Sequence, residues 1–135
     1  MLVIDTSGLL AALDLGDSHH QEAVVAFRGG YGPFVIPVSI LAEIGYMVEN
    51  RLGTKTLDGL MADLIEGAFG LDCGEEDTLR IRELINRYDD LPLGFADAAV
   101  IACAERNRAP ILTFDRRHFW VVARQVSLQL VPEVH

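Results

Sequence analysis

Residues 95–115 read FADAAVIACAERNRAPILTFD, and this stretch decides the fold. Its first half, Phe95 to Glu105, is rich in alanine and reads as a helix with Asp97 in the first turn. Small side chains there permit close packing against a sheet. Pro110-Ile111-Leu112-Thr113 then reads as a short buried strand that stops just before Asp115. A helix feeding directly into an apolar strand is half of an alternating unit, and alternation predicts a mostly parallel sheet covered on both faces.

The same grammar continues outward. Leu2-Val3-Ile4 is an apolar run ending at Asp5, with Thr6 and Ser7 placed to cap a helix through Leu13. A second helix is predicted from His19 to Phe27, stopped by Gly29-Gly30 and Gly32-Pro33. Phe34-Val35-Ile36 reads as the second strand, ended by Pro37. Ser39 is placed to cap a helix carrying Ile40, Leu41, Ile44, Met47 and Val48, closed by Gly53. Another helix runs from Thr56 to near Gly67, then a short strand over 68–71 and a helix over 75–88. Residues 89–94 form a loop, and Ser127 to Val131 a fifth, edge strand. Residues 116–126 carry no predicted element. The expectation is one α/β domain over 1–135, with about five strands flanked by helices.

Composition agrees. Hydrophobic residues make up 50% and charged residues 23% of 135 positions, a globular balance. Cys73 and Cys103 are too few for a disulfide scaffold, and they suggest a reducing compartment, hence the cytoplasm. No apolar run reaches membrane-spanning length, and Met1 leads straight into a strand, so neither a span nor a cleaved leader is expected. The net charge of -9 argues against a protein that holds nucleic acid by charge alone. It leaves open a nuclease whose carboxylates are neutralised by divalent ions. Five arginines (Arg106, Arg108, Arg116, Arg117 and Arg124) lie in the last 30 positions. Arg116 and Arg117, beside Asp115, are the first candidates for holding backbone phosphates.

Most acidic residues sit in polar stretches such as Glu75-Glu76-Asp77, but four do not. Asp5 and Asp115 follow apolar strands, at the sheet edge where α/β proteins place ligands. Glu43 lies in an apolar helix after the second strand, and Asp97 starts the alanine-rich helix. Each alone has a plainer explanation: a helix cap for Asp5, a solvated position for Glu43, a dipole partner for Asp97, a turn former for Asp115. Together they can converge on one edge. Clustered carboxylates repel one another unless cations are present, and oxygen-only donors suit Mg²⁺ or Mn²⁺ rather than zinc. The chemistry this supports best is metal-assisted phosphodiester hydrolysis, with a metal-centred cluster of Asp5, Glu43, Asp97 and Asp115. Thr6, Ser7 and Thr113 are hydroxyls able to orient those carboxylates. His19, His20 and His118 are weak base candidates. There is no Cys/His metal signature, nucleophile elbow, P-loop or dinucleotide fingerprint.

At these residues the sequence resembles the PIN-domain family, and within it the VapC-type ribonuclease toxins of toxin–antitoxin pairs. The resemblance rests on LVIDTSGLLAAL, on VSILAEIGYMV around Glu43, and on LPLGFADAAVIACAERNRAPILTFDRRHF from 91 to 119. The family's four acidic positions fall on Asp5, Glu43, Asp97 and Asp115, and its hydroxyls on Thr6 and Thr113. The resemblance implies a PIN-like three-layer fold and an Mg²⁺- or Mn²⁺-dependent endoribonuclease acting as a homodimer. It also implies a cognate antitoxin that binds operator DNA, which this chain alone would not, and blocks the site with its tail. The apolar helix around Leu41, Ile44 and Met47, or the segment from Leu60 to Ile65, is the expected dimer contributor. A PIN nuclease of RNA maturation or decay, and a non-catalytic PIN-like scaffold, are the alternatives. A receiver-like phosphoacceptor domain would want a lysine after its last functional strand, and a haloacid-dehalogenase-like phosphatase an Asp where Ser7 stands.

Overall fold

In the computed structural model, which describes residues 1–91 and 93–133, five parallel strands form the order β3-β2-β1-β4-β5. The strands are β1 (Leu2–Ile4), β2 (Phe34–Pro37), β3 (Gly70–Asp72), β4 (Ile111–Leu112) and β5 (Leu130–Val131). The helices are α1 (Thr6–Leu13), α2 (His20–Arg28), α3 (Leu41–Leu52), α4 (Thr54–Glu66), α5 (Thr78–Arg87), α6 (Phe95–Asn107) and α7 (Arg116–Gln125). Short 3₁₀ turns, Val38–Ile40 and Glu75–Asp77, precede α3 and α5. Pro92, inside the predicted loop, lies outside the described residues.

The order reverses at β1, which pairs with β2 on one side and β4 on the other. Such a reversal opens a crevice beyond the carboxyl ends of the strands. Both β1 and β4 are fully apolar and buried, as strands covered on two faces must be. In α6, Ala98, Ala99, Ala102, Cys103 and Ala104 are buried, so small side chains do bring this helix close to the sheet. Gly8 in α1 has a comparable reason. A Cβ there would stand 2.6 Å from the Leu112 carbonyl oxygen, so only glycine lets α1 lie this close to β4.

Three local expectations are corrected. The cap of α1 is Asp5, whose carboxylate accepts the Thr6 backbone N–H at 2.6 Å, rather than Thr6 or Ser7. Ser39 makes no capping bond, because a 3₁₀ turn enters α3 in its place. An unpredicted helix, α7, follows Asp115. Phe119 and Val122 are buried on it, and Gln125 accepts the Tyr88 hydroxyl at 2.7 Å, tying α7 to the residue that ends α5. Among the described residues no helix is long and apolar enough to cross a membrane.

The expected dimer contributors are largely absorbed into the monomer. Ile44 and Leu60 are core residues where α3 packs on α4. Tyr46 on α3 and Ile65 on α4 remain exposed.

Candidate active site

The crevice beyond β1 and β4 contains a cavity of about 420 Å³, and Asp5, Glu43, Asp97 and Asp115 all line it. Each arrives by a different route. Asp5 ends β1 and caps α1; Asp115 precedes α7, two residues beyond Thr113. Glu43 sits in the first turn of α3, and Asp97 in the first turn of α6, where helix dipoles favour negative charge.

Asp5 is the fixed point of the site. It is only 7% exposed, and its hydrogen-bond partners among the described residues are neutral donors. Oδ1 accepts the Thr6 N–H, while Oδ2 accepts the Ser7 hydroxyl at 3.0 Å and the fully buried Thr113 hydroxyl at 2.7 Å. Burial pushes the Asp5 carboxyl up to about 6; the three hydrogen bonds pull it down, and the Asp97 charge pushes it further up. The Thr6 hydroxyl donates to Glu43 Oε2 at 2.7 Å, tying α1 to α3. Ser7 Oγ accepts the backbone N–H groups of Phe114 at 2.9 Å and Asp115 at 3.2 Å, which fastens the β4–α7 turn to the same network.

Among the described residues no three His, Cys, Asp or Glu side chains close on a point tightly enough to cage an ion. The carboxylates share a cavity instead, and Asp5 and Glu43 face hydroxyl donors. The chemistry of the four carboxylates fits a hard divalent cation: they offer only oxygen, and among the described residues no ion pair balances the buried Asp5.

The histidines separate. His20 Nδ1 is hydrogen-bonded to the Ala11 carbonyl at 2.8 Å, away from the carboxylates. His19 does line the cavity, stacked on Phe114. The side chain of His118 lies outside what is described. Of the predicted phosphate contacts, Arg116 donates to the Pro132 carbonyl and Arg117 is exposed, and neither lines the cavity. Arg51 does, and sequence reading missed it. Its signal was the spacing Glu43, Met47, Arg51, one face of α3 at intervals of four.

The PIN domain profile matches residues 2–124. Ribonuclease VapC26 of Mycobacterium tuberculosis (strain ATCC 25618 / H37Rv) is 33% identical over 120 residues, 87% of this chain and 89% of that protein. The crystal structure of Mycobacterium tuberculosis VapC20, a toxin cleaving the sarcin–ricin loop, superposes with a TM-score of 0.78 at 17% identity, covering 89% of this chain and 95% of that one. DNA-bound VapBC from Salmonella typhimurium gives 0.67 at 19% identity, over 96% of this chain and 95% of that one.

Proposed function

Given that the chain belongs to the PIN-domain family and its VapC-type toxins, we propose that it is a divalent-metal-dependent endoribonuclease using Asp5, Glu43, Asp97 and Asp115. One observation carries this reading: a buried Asp5 whose hydrogen-bond donors among the described residues are all neutral, on a cavity shared with four more carboxylates, Asp17, Glu43, Asp97 and Asp115. Asp5, Asp97 and Asp115 would hold Mg²⁺ or Mn²⁺, and Glu43 would help hold it or orient the attacking water. When bound, the ion supplies Lewis acidity, activating a water and steadying the departing oxygen of the phosphodiester.

The chain's own groups prepare that arrangement. Ser7 and Thr113 both donate to Oδ2 of Asp5, which fixes the plane of its carboxyl. Thr6 holds Glu43 against the N-terminus of α1. His20 is committed to a backbone carbonyl and is no base for this site.

The test is cleavage of a total-RNA pool by purified protein in Mg²⁺ or Mn²⁺, with EDTA controls and mapping of the new RNA ends. Divalent-dependent internal cuts that survive replacement of His19, His20 and His118 are expected. Cleavage that persists in EDTA and vanishes in the triple histidine variant would sink the metal mechanism in favour of acid–base catalysis.

The partner we infer is an antitoxin whose tail carries Arg or Lys into the carboxylate cavity, a pairing stronger there than on open surface. It would bring the operator-DNA contacts that a chain of net charge -9 lacks. The working form is a cytoplasmic homodimer using the exposed Tyr46 and Ile65 faces of α3 and α4. A 14.8 kDa species in light scattering at high concentration would remove the dimer.

A further inference from the structure

The cavity that the acids line carries two further features that metal chemistry does not use. His19 and Phe114 lie face to face, with ring centroids 4.6 Å apart and planes inclined by 10°. Arg51 lines the same cavity, the one Lys or Arg to do so among the described residues, and has no ion-pair partner there.

The stack is held at both ends. His19 donates its backbone N–H to Asp17 Oδ1 at 2.8 Å, and its Nδ1 lies 3.2 Å from Glu22 Oε1, so the ring is oriented from below. The Phe114 N–H is bonded to Ser7 Oγ, the hydroxyl that also touches Asp5. The aromatic pair is therefore set at a fixed distance from the carboxylates rather than on a free loop. Phe114 covers one face of the imidazole, yet the His19 side chain remains 47% exposed. His19 lines the cavity, so the side that Phe114 leaves uncovered is the one available to a ligand there. A flat, oriented, half-open π-surface beside a phosphodiester-cleaving centre suits a nucleobase, because every base has a face to stack and none need be read by hydrogen bonds.

Resting on the ribonuclease reading above, we propose that His19 backed by Phe114 stacks one unpaired base of single-stranded RNA, and that Arg51 holds a phosphate of the same strand. Arg51 stands two turns along α3 from Glu43, and the stack, the acids and the guanidinium line one cavity, within reach of a single strand. The subsite selects RNA that can splay a base out of a helix, such as a loop or bulge, rather than a regular duplex. His19 is a positioning residue in this scheme, not an acid or base.

The probes are single-stranded RNA nonamers carrying 2-aminopurine at each position in turn, read by fluorescence quenching and anisotropy in Mg²⁺. Protein silenced by Asp97→Asn keeps them intact. One or two positions should be strongly quenched. At those positions His19→Ala should abolish the quench and weaken binding about ten-fold, and Phe114→Leu should act in the same direction. His19→Phe, which cannot carry a proton but keeps a flat ring, should restore both. Arg51→Met should weaken all nonamers alike and reduce the salt slope by about one. In the otherwise wild-type chain, His19→Ala should raise KM while kcat stays within about two-fold.

Quenching and affinity unchanged in His19→Ala would overturn the subsite, and would leave the stack to a peptide partner. A loss of kcat in both His19→Ala and His19→Phe would overturn it in favour of proton transfer. Cleavage of total RNA by the wild-type chain judges the ribonuclease reading by itself, so the two failures are distinguishable.

Discussion

Two aspartates are buried among the described residues, and they are treated in opposite ways. Asp77, 5% exposed, receives both Nε and Nη2 of Arg106, at 2.7 and 3.0 Å. The same guanidinium also pairs with Asp72 and Glu76, so three carboxylates surround one built-in cation. Asp5, 7% exposed, has three neutral donors and shares its cavity with four other carboxylates, Asp17, Glu43, Asp97 and Asp115. Helix α6 serves both places, with Asp97 in its first turn and Arg106 in its last. Arg106 holds the Asp72 carboxyl below the usual carboxylate range, whereas burial holds Asp5 above it. A buried carboxylate that carries its own cation fastens β3, α5 and α6 together. One that lacks it is where the proposed metal-dependent mechanism places a cation brought from outside.

The largest effect that separates the two regions is catalytic. Asp97→Asn keeps size and removes charge, so it should lower RNA cleavage by at least ~100-fold, the scale of losing one electrostatic stabiliser. Asp77→Asn should leave the rate within about two-fold, provided circular dichroism shows the chain folded. Equal losses in both variants would erase the distinction. The next effect is on stability and runs the other way. Arg106→Met leaves Asp77 buried without its partner and should cost about 3 kcal/mol in urea unfolding, with cleavage by the folded fraction retained.

Metal sharpens the same contrast. An ion that binds the native site and not the open chain should stabilise by about 2.7 kcal/mol at a hundred-fold excess over its Kd. Thermal melts in millimolar Mg²⁺ or Mn²⁺ should therefore rise for the wild type and for Arg106→Met. Asp5→Asn should melt in EDTA at or above the wild-type temperature, because it removes an uncompensated buried charge, and should lose the metal response. A wild-type melt indifferent to both ions would count against the site.

Much of this was legible in sequence because it is local. Leu2-Val3-Ile4-Asp5 and Ile111-Leu112 read as strands since unbroken apolar runs have few other uses, and carboxylates that stop such runs must lie at strand ends. The alanines of α6 foretold its close approach to the sheet. What escaped needs contacts across the chain. Arg106 sits in a run of ordinary surface charge, and nothing local tells that Asp72 and Asp77 meet it from 34 and 29 positions away. Phe114 and His19 are likewise joined only by folding. Helix α7 was a different failure: Phe119, Val122 and Val126 carry helical spacing, but Asp115-Arg116-Arg117 reads as a solvated turn and hid it. The cap role of Asp5 is compatible with the proposed site role, since one oxygen accepts the Thr6 N–H and the other faces the hydroxyls.

The smallest effect is the pH dependence of metal-free stability, where the two regions should differ in sign. Asp72 has a lowered carboxyl, so its contribution is present above its open-chain value of 3.8 and is lost as pH falls through the folded value below that. Asp5 titrates near 6 in the fold against 3.8 in the open chain, so the folded state binds the proton more tightly. Its stabilising, protonated form is fully present below 3.8 and is lost as pH rises through about 6. Taking the metal-free wild type from pH 7 to pH 5 should thus recover about 1 kcal/mol at Asp5, while Asp72 stays ionised and contributes no change. Urea unfolding in EDTA checks this against Asp5→Asn, in which that gain should be absent. Below pH 4 the order should invert: the wild type should lose stability faster than Arg106→Met, which has no ion pair left for acid to break. A wild type and an Asp5→Asn variant that track each other between pH 7 and 5 would mean that Asp5 is already charge-compensated in the folded chain, and the two buried aspartates would then differ only in which partner does the compensating.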